Sequence, residues 1–344
     1  MLDAHSALAI FPETWCYVRL DLLGCLEEFT DHWQYILFLN EIWESLHSYK
    51  DPAARVVATE AAKQPRYAGP TAPLLELLGK AYARTRSARI WGEKTPGHVL
   101  WLPQIHKLFP KAHILVSIRD PRDVLLSYDE RWGGGNHDTA FLMKAAAQVR
   151  HYLSHLLSSP GFPPEQIFWV KYEALTAQPS TVLRDICRFL GLEFEPGMLE
   201  FYRQYGNVER DFSEGRHHKL LSRPATTERV GRYREAFTPS QVALVEEFLA
   251  AEMNSLGYPV QLQSACTLGR EEELARDKGR SLYEQMGSGA IRRNMQRKAR
   301  LKLTAYRWFG GVLASLPRTR LAVTSKDWLA RADLASRQER QHHL

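Results

Sequence analysis

The sequence predicts an α/β fold organised around a parallel sheet. Three features support this. Short, continuous apolar runs, HILVSI at 113–118 and IFWVKY at 167–172, read as strands covered on both faces. Each run leads directly into a stretch with helical spacing of its apolar residues. Strand-like and helix-like segments then alternate along the chain, as crossover connections between parallel strands require.

Taken in order, ALAIF (7–11) reads as the first strand, followed by helical stretches at about 32–48 and 72–86. ARIW (88–91) reads as another strand and 98–108 as a helix. The run at 113–118 follows a Pro-Lys-Ala turn. The segment from Pro121 to about Arg131 places a proline near a helix start, with Val124, Leu125 and Tyr128 as its apolar residues. A long helix is expected over 137–157. After 167–172, a helix from about Ser180 carries Val182, Leu183, Ile186, Phe189 and Leu190, and Gly191 can end it. The body runs to about Pro259. Beyond it, QLQSACTLGREEELARDKGR reads as a linker or loose helix. Residues 291–309 read as an appended helix with Ile291, Met295, Ala299 and Tyr306 near one face. The domain reading is therefore 1–260 as the body and 261–344 as a basic helical extension.

Composition narrows the classes. The chain has 344 residues, 44% hydrophobic and 24% charged, enough apolar mass for a core. No run approaches about 18 apolar residues, so no spanning helix is expected, and the first residues do not read as a signal peptide. Cys16, Cys25, Cys187 and Cys266 show no paired or metal-ligand spacing, and reduced thiols in a cytoplasmic setting are the reading. The net charge of +6 is unevenly placed. From Arg270 onward there are 17 Lys and Arg against 8 Asp and Glu, which is +9, so the rest carries −3. Between Arg292 and Arg320 there are nine cations and no acid. A solvated helix packed on the body or on another subunit is the first reading of that tail; contact with an anionic membrane surface through 290–320 is the second. Nucleic-acid binding is not expected, because the tail has no interleaved aromatics on a recognisable fold.

The most informative segment is WGEKTPGHVLWLPQIHKLFPKAHILVSIRDPRDVLLSY at 91–128. A strand ends at Ile118 and a helix begins near Pro121, so Arg119 and Asp120 fall on the turn at the strand's carboxyl end, where open parallel sheets bind ligands. A guanidinium there can grip a phosphate through two parallel hydrogen bonds. Ser127, about two helical turns later, can offer a hydroxyl to the same anion. A carboxylate partner for Arg119 is the plain alternative.

RDPRDVLLSY, with EKTPGH before it and VKYEAL and FLGLEF after it, resembles the PAPS-dependent sulfotransferase family. The four motifs stand in the family's order, and the resemblance covers roughly residues 1–258. The resemblance implies a P-loop-NTPase-like parallel sheet flanked by helices. It also implies transfer of a sulfuryl group from 3′-phosphoadenosine 5′-phosphosulfate (PAPS) to an acceptor hydroxyl, without a metal. By position in those motifs, Arg119 and Ser127 would hold the 3′-phosphate and Tyr172 the adenine. VGRYREAFTPSQ (230–241) is similar to the stretch near the family's last cofactor loop, which makes Arg229, Arg232 and Arg234 candidates for phosphate contact. MLDAHSALAIFPET (1–14) is similar to the tyrosylprotein sulfotransferase branch and its bacterial relatives. This implies Glu13 as general base, and a carboxylate can take the proton an attacking hydroxyl loses. Lys94 aligns with a lysine that steadies the transferring group, where charge builds. Pro96 stands where another branch has a catalytic histidine. His98, two residues further, is read as supporting the helix start rather than as the base. His217 and His218 are read as a solvated loop, with lining of the acceptor site as the sharper alternative.

The family's strand–PRSGTT loop, whose backbone N–H groups cradle the 5′-phosphosulfate, has no counterpart in the sequence, and there is no GxxxxGK[ST]. The expectation is that the first strand and the phosphate loop are missing and that the natural start lies upstream of Met1. The 344 residues alone are then expected to transfer sulfate weakly. A relic or scaffold that keeps only the 3′-phosphate site is the alternative to an enzyme; a different nucleotide-dependent transferase is a third reading. The acceptor (carbohydrate, lipid, small metabolite or tyrosine) is not legible, and residues 15–65 and 196–225 are where its selection is expected.

Overall fold

The structure is a computed structural model that describes residues 1–11, 13–48, 53–64, 66–158, 161–206, 223–261 and 268–313. The first half runs β1 (Leu8–Phe11), α1 (Cys16–Leu23), β2 (Glu28–Phe29), α2 (His32–Ser48), α3 (Ala53–Lys63), β3 (Gly69–Pro70), α4 (Thr71–Thr85), β4 (Ile90–Glu93) and α5 (Leu102–Leu108). It continues with β5 (Ile114–Ile118), α6 (Pro121–Tyr128), α7 (Thr139–Ser158), β6 (Ile167–Lys171), α8 (Tyr172–Ala177), α9 (Pro179–Phe189), α10 (Phe201–Gly206), α11 (Tyr233–Ala236), α12 (Pro239–Ser255), α13 (Arg270–Gly287) and α14 (Ala290–Leu313).

The four strands expected from sequence form two parallel pairs. β1 lies beside β4, with Leu8 opposite Ile90 and Phe11 opposite Glu93. β5 lies beside β6, with Ile114 opposite Ile167 and Ile118 opposite Lys171. Among the described residues the two pairs share no ladder, yet both are sandwiched between the same two apolar layers. Ala9, Phe11, Trp91, Val116 and Ile118 point into one, with residues of α1, α2, α4, α7 and α12. Leu8, Ile90, Leu115, Phe168 and Val170 point into the other, with Leu183, Ile186 and Cys187 of α9. Period-two alternation over four strands thus feeds one core on each face, the layering of an α/β domain.

Local chemistry sets the element ends that matter for the site. Asp120 caps α6 by accepting from the Arg122 amide at 3.0 Å, and Pro121 occupies the first turn, where no amide donor is needed. Leu183, Ile186 and Cys187 bury one stripe of α9, and Gly191, at φ 67°, turns the chain out of it as the sequence expects. Thr238 and Gln241 form a reciprocal cap at the start of α12.

The segment after Pro259 differs from its sequence reading. Residues 270–287, whose first part reads in the sequence as a linker or loose helix, form a full helix packed on α7. The contact is close because Gly279 and Ala275 are buried there. A methyl group on Gly279 would sit 3.0 Å from the Met143 carbonyl oxygen. Small residues replaced the apolar stripe a sequence scan looks for. α14 then lies along α1 and α2, where its cations meet acids of the body: Arg292 with Asp21, Lys302 with Glu41 at 2.8 Å, and Arg307 with Asp31. Leu303 is buried beneath them. No helix among the described residues is long and apolar enough to cross a membrane. Cys16, Cys25 and Cys187 are buried free thiols, and Cys266 lies outside the described residues.

Candidate functional site

Each parallel strand delivers one candidate residue just past its carboxyl end. Glu13 follows β1, Lys94 follows β4, Arg119 follows β5 and Tyr172 follows β6. This edge is where an open parallel sheet presents backbone and side chains to a ligand. The topology therefore gathers residues 13, 94, 119 and 172 onto one rim.

On the β1–β4 side, the Lys94 ammonium is ion-paired with the Glu13 carboxylate. Both side chains remain open to solvent, Lys94 more so. On the β5–β6 side, the Arg119 guanidinium stacks over the Tyr172 ring at 4.6 Å, an attractive cation–π arrangement. Its Nη2 donates to the backbone carbonyl of Arg229, and Asp123 lies 3.7 Å away. Its Nε is buried with no hydrogen-bond acceptor. A buried donor without a partner costs free energy unless a ligand supplies one. Ser127 is half-buried on α6, two turns beyond. Its neighbour Tyr128 connects the two sides: burial, Tyr152 and the Glu13 carboxylate push its hydroxyl up to about 12.

Arg229 and Arg232 come to this rim from the loop before α11. Glu130 receives Arg229 at 3.1 Å and Arg232 at 2.8 Å. Burial alone would raise the Glu130 carboxyl, but the two guanidinium groups outweigh it and hold the group below its usual range. Arg234 lies over the Tyr233 ring at 4.8 Å, one residue from the loop's anchor. His217 and His218 lie outside the described residues.

Sequence reasoning passed over the groups that hold this arrangement. Asp123, fully buried, accepts from the amides of Gly231 at 2.7 Å and Tyr233 at 3.1 Å, and so fastens the 229–233 loop onto α6. Arg122 is buried between Asp120 (2.7 Å) and Glu246, beneath the Tyr233 ring at 4.4 Å. Burial opposes its charge, but the two carboxylates prevail and keep it ionised. Glu173 accepts from the Asp120 amide at 2.8 Å and from the Tyr258 hydroxyl at 2.9 Å, which ties the β5 and β6 turns together. The available signal was the charge density of RDPRD itself. Four ionisable residues in five around a proline cannot all be solvated on a strand–helix turn buried in a core.

A family model described as the sulfotransferase family matches residues 1–196. A Caenorhabditis briggsae protein named as a protein-tyrosine sulfotransferase is 31% identical over 118 residues, 33% of this chain and 41% of that protein. A Caenorhabditis elegans protein of the same name is 33% identical over 107 residues, 31% of this chain and 41% of that protein. The matches thus span about two fifths of the length of these relatives. Among solved structures, the sulfotransferase domain of the Synechococcus PCC 7002 olefin synthase superposes with a TM-score of 0.50 at 17% identity, over 73% of this chain and 95% of that one, a likeness of fold. With more than half of its length matched by the family model, and with the strand-end residues of that match on one rim, this chain belongs to the sulfotransferase family.

Proposed function

We propose that the protein transfers a sulfuryl group from PAPS to an acceptor hydroxyl by one in-line displacement. The acceptor oxygen forms its bond to sulfur as the bond from sulfur to the 5′-phosphate oxygen breaks. Glu13 takes the hydroxyl proton, and 3′,5′-ADP leaves. Once Glu13 is protonated, its hold on Lys94 weakens and the ammonium can meet the charge developing on the departing oxygen. Arg119, Ser127 and Tyr172 hold the nucleotide, with Arg229 and Arg232 as further phosphate contacts after exchange from Glu130. No metal is needed in this scheme, because the cations are supplied by side chains.

The single observation that carries this reading is Arg119. It is a guanidinium laid on an aromatic ring with a buried Nε that has no acceptor. That geometry suits a phosphate beside a stacked base. The cradle for the 5′-phosphosulfate belongs to the same proposal. Among the described residues the two strand pairs share both apolar layers without a common ladder, and a strand carrying a phosphate loop between them would complete a P-loop-like sheet. The acceptor is proposed to be a hydroxyl-bearing molecule, with tyrosine in view because of the relatives' names.

Calorimetric titration with ADP, ATP and 3′,5′-ADP tests the reading. Preference for the bisphosphate is expected, together with sulfate transfer from PAPS. Equal affinity for all three would favour another nucleotide-dependent transferase, and bisphosphate binding without transfer would favour a scaffold. For the tail, exposed Ile291, Met295 and Leu301 beside Arg297 and Arg300 favour peripheral membrane contact as a second role. Vesicle co-sedimentation with and without residues 290–344 decides it.

A further inference from the structure

Glu93 is the last residue of β4, its side chain only 10% exposed. It sits next to Lys94 in sequence and opposite the end of β1, the strand that leads to Glu13. One carboxylate oxygen, Oε1, accepts from the Thr14 amide at 3.2 Å, the Thr14 hydroxyl at 2.8 Å and the Thr95 hydroxyl at 2.6 Å. The other, Oε2, lies 2.7 Å from His98 Nδ1. Each threonine hydroxyl that donates to Glu93 also accepts a backbone amide: Cys16 N on Thr14 Oγ1 and Trp15 N on Thr95 Oγ1, both at 3.3 Å. We propose that Glu93 is a positioning residue, a carboxylate hub that clamps the turns after β1 and β4 so that Glu13 and Lys94 face one another. The proposal rests on the roles given to Glu13 and Lys94 above.

The surroundings point the same way. Trp15 is held at φ 55°, a left-handed conformation that a bulky residue adopts only where its neighbours over-determine it. Its ring covers Gly97 so closely that a methyl group there would lie 2.6 Å from it. His98 is buried with the Tyr17 ring edge-on at 4.7 Å. Residues 14, 15, 16, 95 and 98 are thus fixed by the hub or by its partners, and residues 13 and 94 are the two neighbours whose side chains project to solvent.

Burying a carboxylate is costly unless its lone pairs are used; Oε1 uses its own on these two turns, while Oε2 faces the His98 ring and has no hydrogen-bond partner among the described residues. Cys16, Glu93 and His98 do approach within 4.8 Å of one another. However, His98 turns Nδ1 to the carboxylate, and Cys16 Sγ lies 3.9 Å from Nε2. The threonine hydroxyls sit on Oε1, so a cation could reach Oε2 without displacing them, and the metal content of the purified protein is therefore part of the test.

The test compares the full chain with Glu93→Ala and Glu93→Gln. Glutamine keeps an oxygen for the two threonines and turns an amide toward His98. Hydrogen exchange at residues 14–16 is expected to speed up about tenfold in Glu93→Ala, the loss of one net hydrogen bond, with β5 and β6 unchanged. For transfer from PAPS, kcat is expected to fall about 100-fold for a loss of alignment, with the donor KM within about twofold; Glu93→Gln recovers most of both. A purely structural role would not separate kcat from KM in this way. Unchanged exchange at 14–16, or faster exchange with kcat intact, overturns the proposal, as does one tightly held zinc per chain in the purified protein. If exchange behaves as expected and the wild-type chain moves no sulfate from PAPS, the clamp stands and the reading of the reaction fails instead.

Discussion

Replacing Arg119 with alanine is expected to abolish most of the preference for a 3′-phosphorylated nucleotide. In the structure its Nη2 is committed to the Arg229 carbonyl and its Nε has no acceptor, so the Nε–Nη2 edge can grip a phosphate once Nη2 exchanges from that carbonyl. The side chain is 17% exposed, so solvent screens it little. Two hydrogen bonds to a phosphate, at about 1.5 kcal/mol each for charged partners, amount to about 3 kcal/mol. That corresponds to a rise in Kd of roughly 150-fold. The assay is calorimetric titration of both proteins with 3′,5′-ADP and with 5′-AMP, which lacks the 3′-phosphate. The loss should fall on the bisphosphate, with AMP affected by less than about threefold because only the Tyr172 contact is altered. Arg119→Lys should regain part of the loss, since it restores the charge but not the planar fork. The turn should survive the alanine, because Asp123 keeps its bonds from Gly231 and Tyr233. A folded Arg119→Ala protein that binds 3′,5′-ADP as tightly as wild type would refute the reasoning.

Arg122→Met is expected to destabilise the fold by about 3–5 kcal/mol, because it leaves Asp120 and Glu246 buried without their cation. Urea denaturation measures this, and adding Glu246→Leu should recover part of the loss. Gly79→Ala should also destabilise, although alanine is better by about 1 kcal/mol inside a helix. Its methyl group would fall 2.2 Å from the Trp91 ring, and displacing that ring should shift tryptophan emission as well as lower the melting temperature. His151 gives a pH signature. Burial, and then His155 with its ring 4.4 Å away, push its pKa down to about 4. The unfolded chain therefore binds the proton first, so stability should be constant above about 6.5, the ordinary value for histidine, and fall as pH drops toward 4. His151→Asn should flatten that part of the curve; a slope unchanged by the substitution would show that other groups titrate there.

Much of the fold was legible because its signals are local. The apolar runs at 113–118 and 167–172 became β5 and β6 with shifts of a residue at one end, and the helix expected at 32–48 is α2. Elements without a strong stripe were harder to read. α13 is held by Gly279 and Ala275 pressed against α7, a contact that depends on a surface 130 residues away in sequence. The site divided in the same way. Arg119 could be named from the strand–helix turn it stands on, and Glu13, Lys94 and Tyr172 from short motifs that resemble the family's. Their supports could not: Asp123, Glu130, Glu93 and Glu246 look like surface acids until the partner that buries them is known.

By itself, the sequence determined the alternation of strands and helices, the position of the turns at the strands' carboxyl ends and the excess of positive charge in the tail, since periodicity, capping residues and charge are properties of neighbouring residues. Only the tertiary structure decided that Glu13 meets Lys94, that Arg119 keeps one donor in reserve, and that the tail's cations fall on Asp21, Asp31 and Glu41. Those outcomes depend on which groups lose water together, and that is set by the packing of segments far apart in the chain.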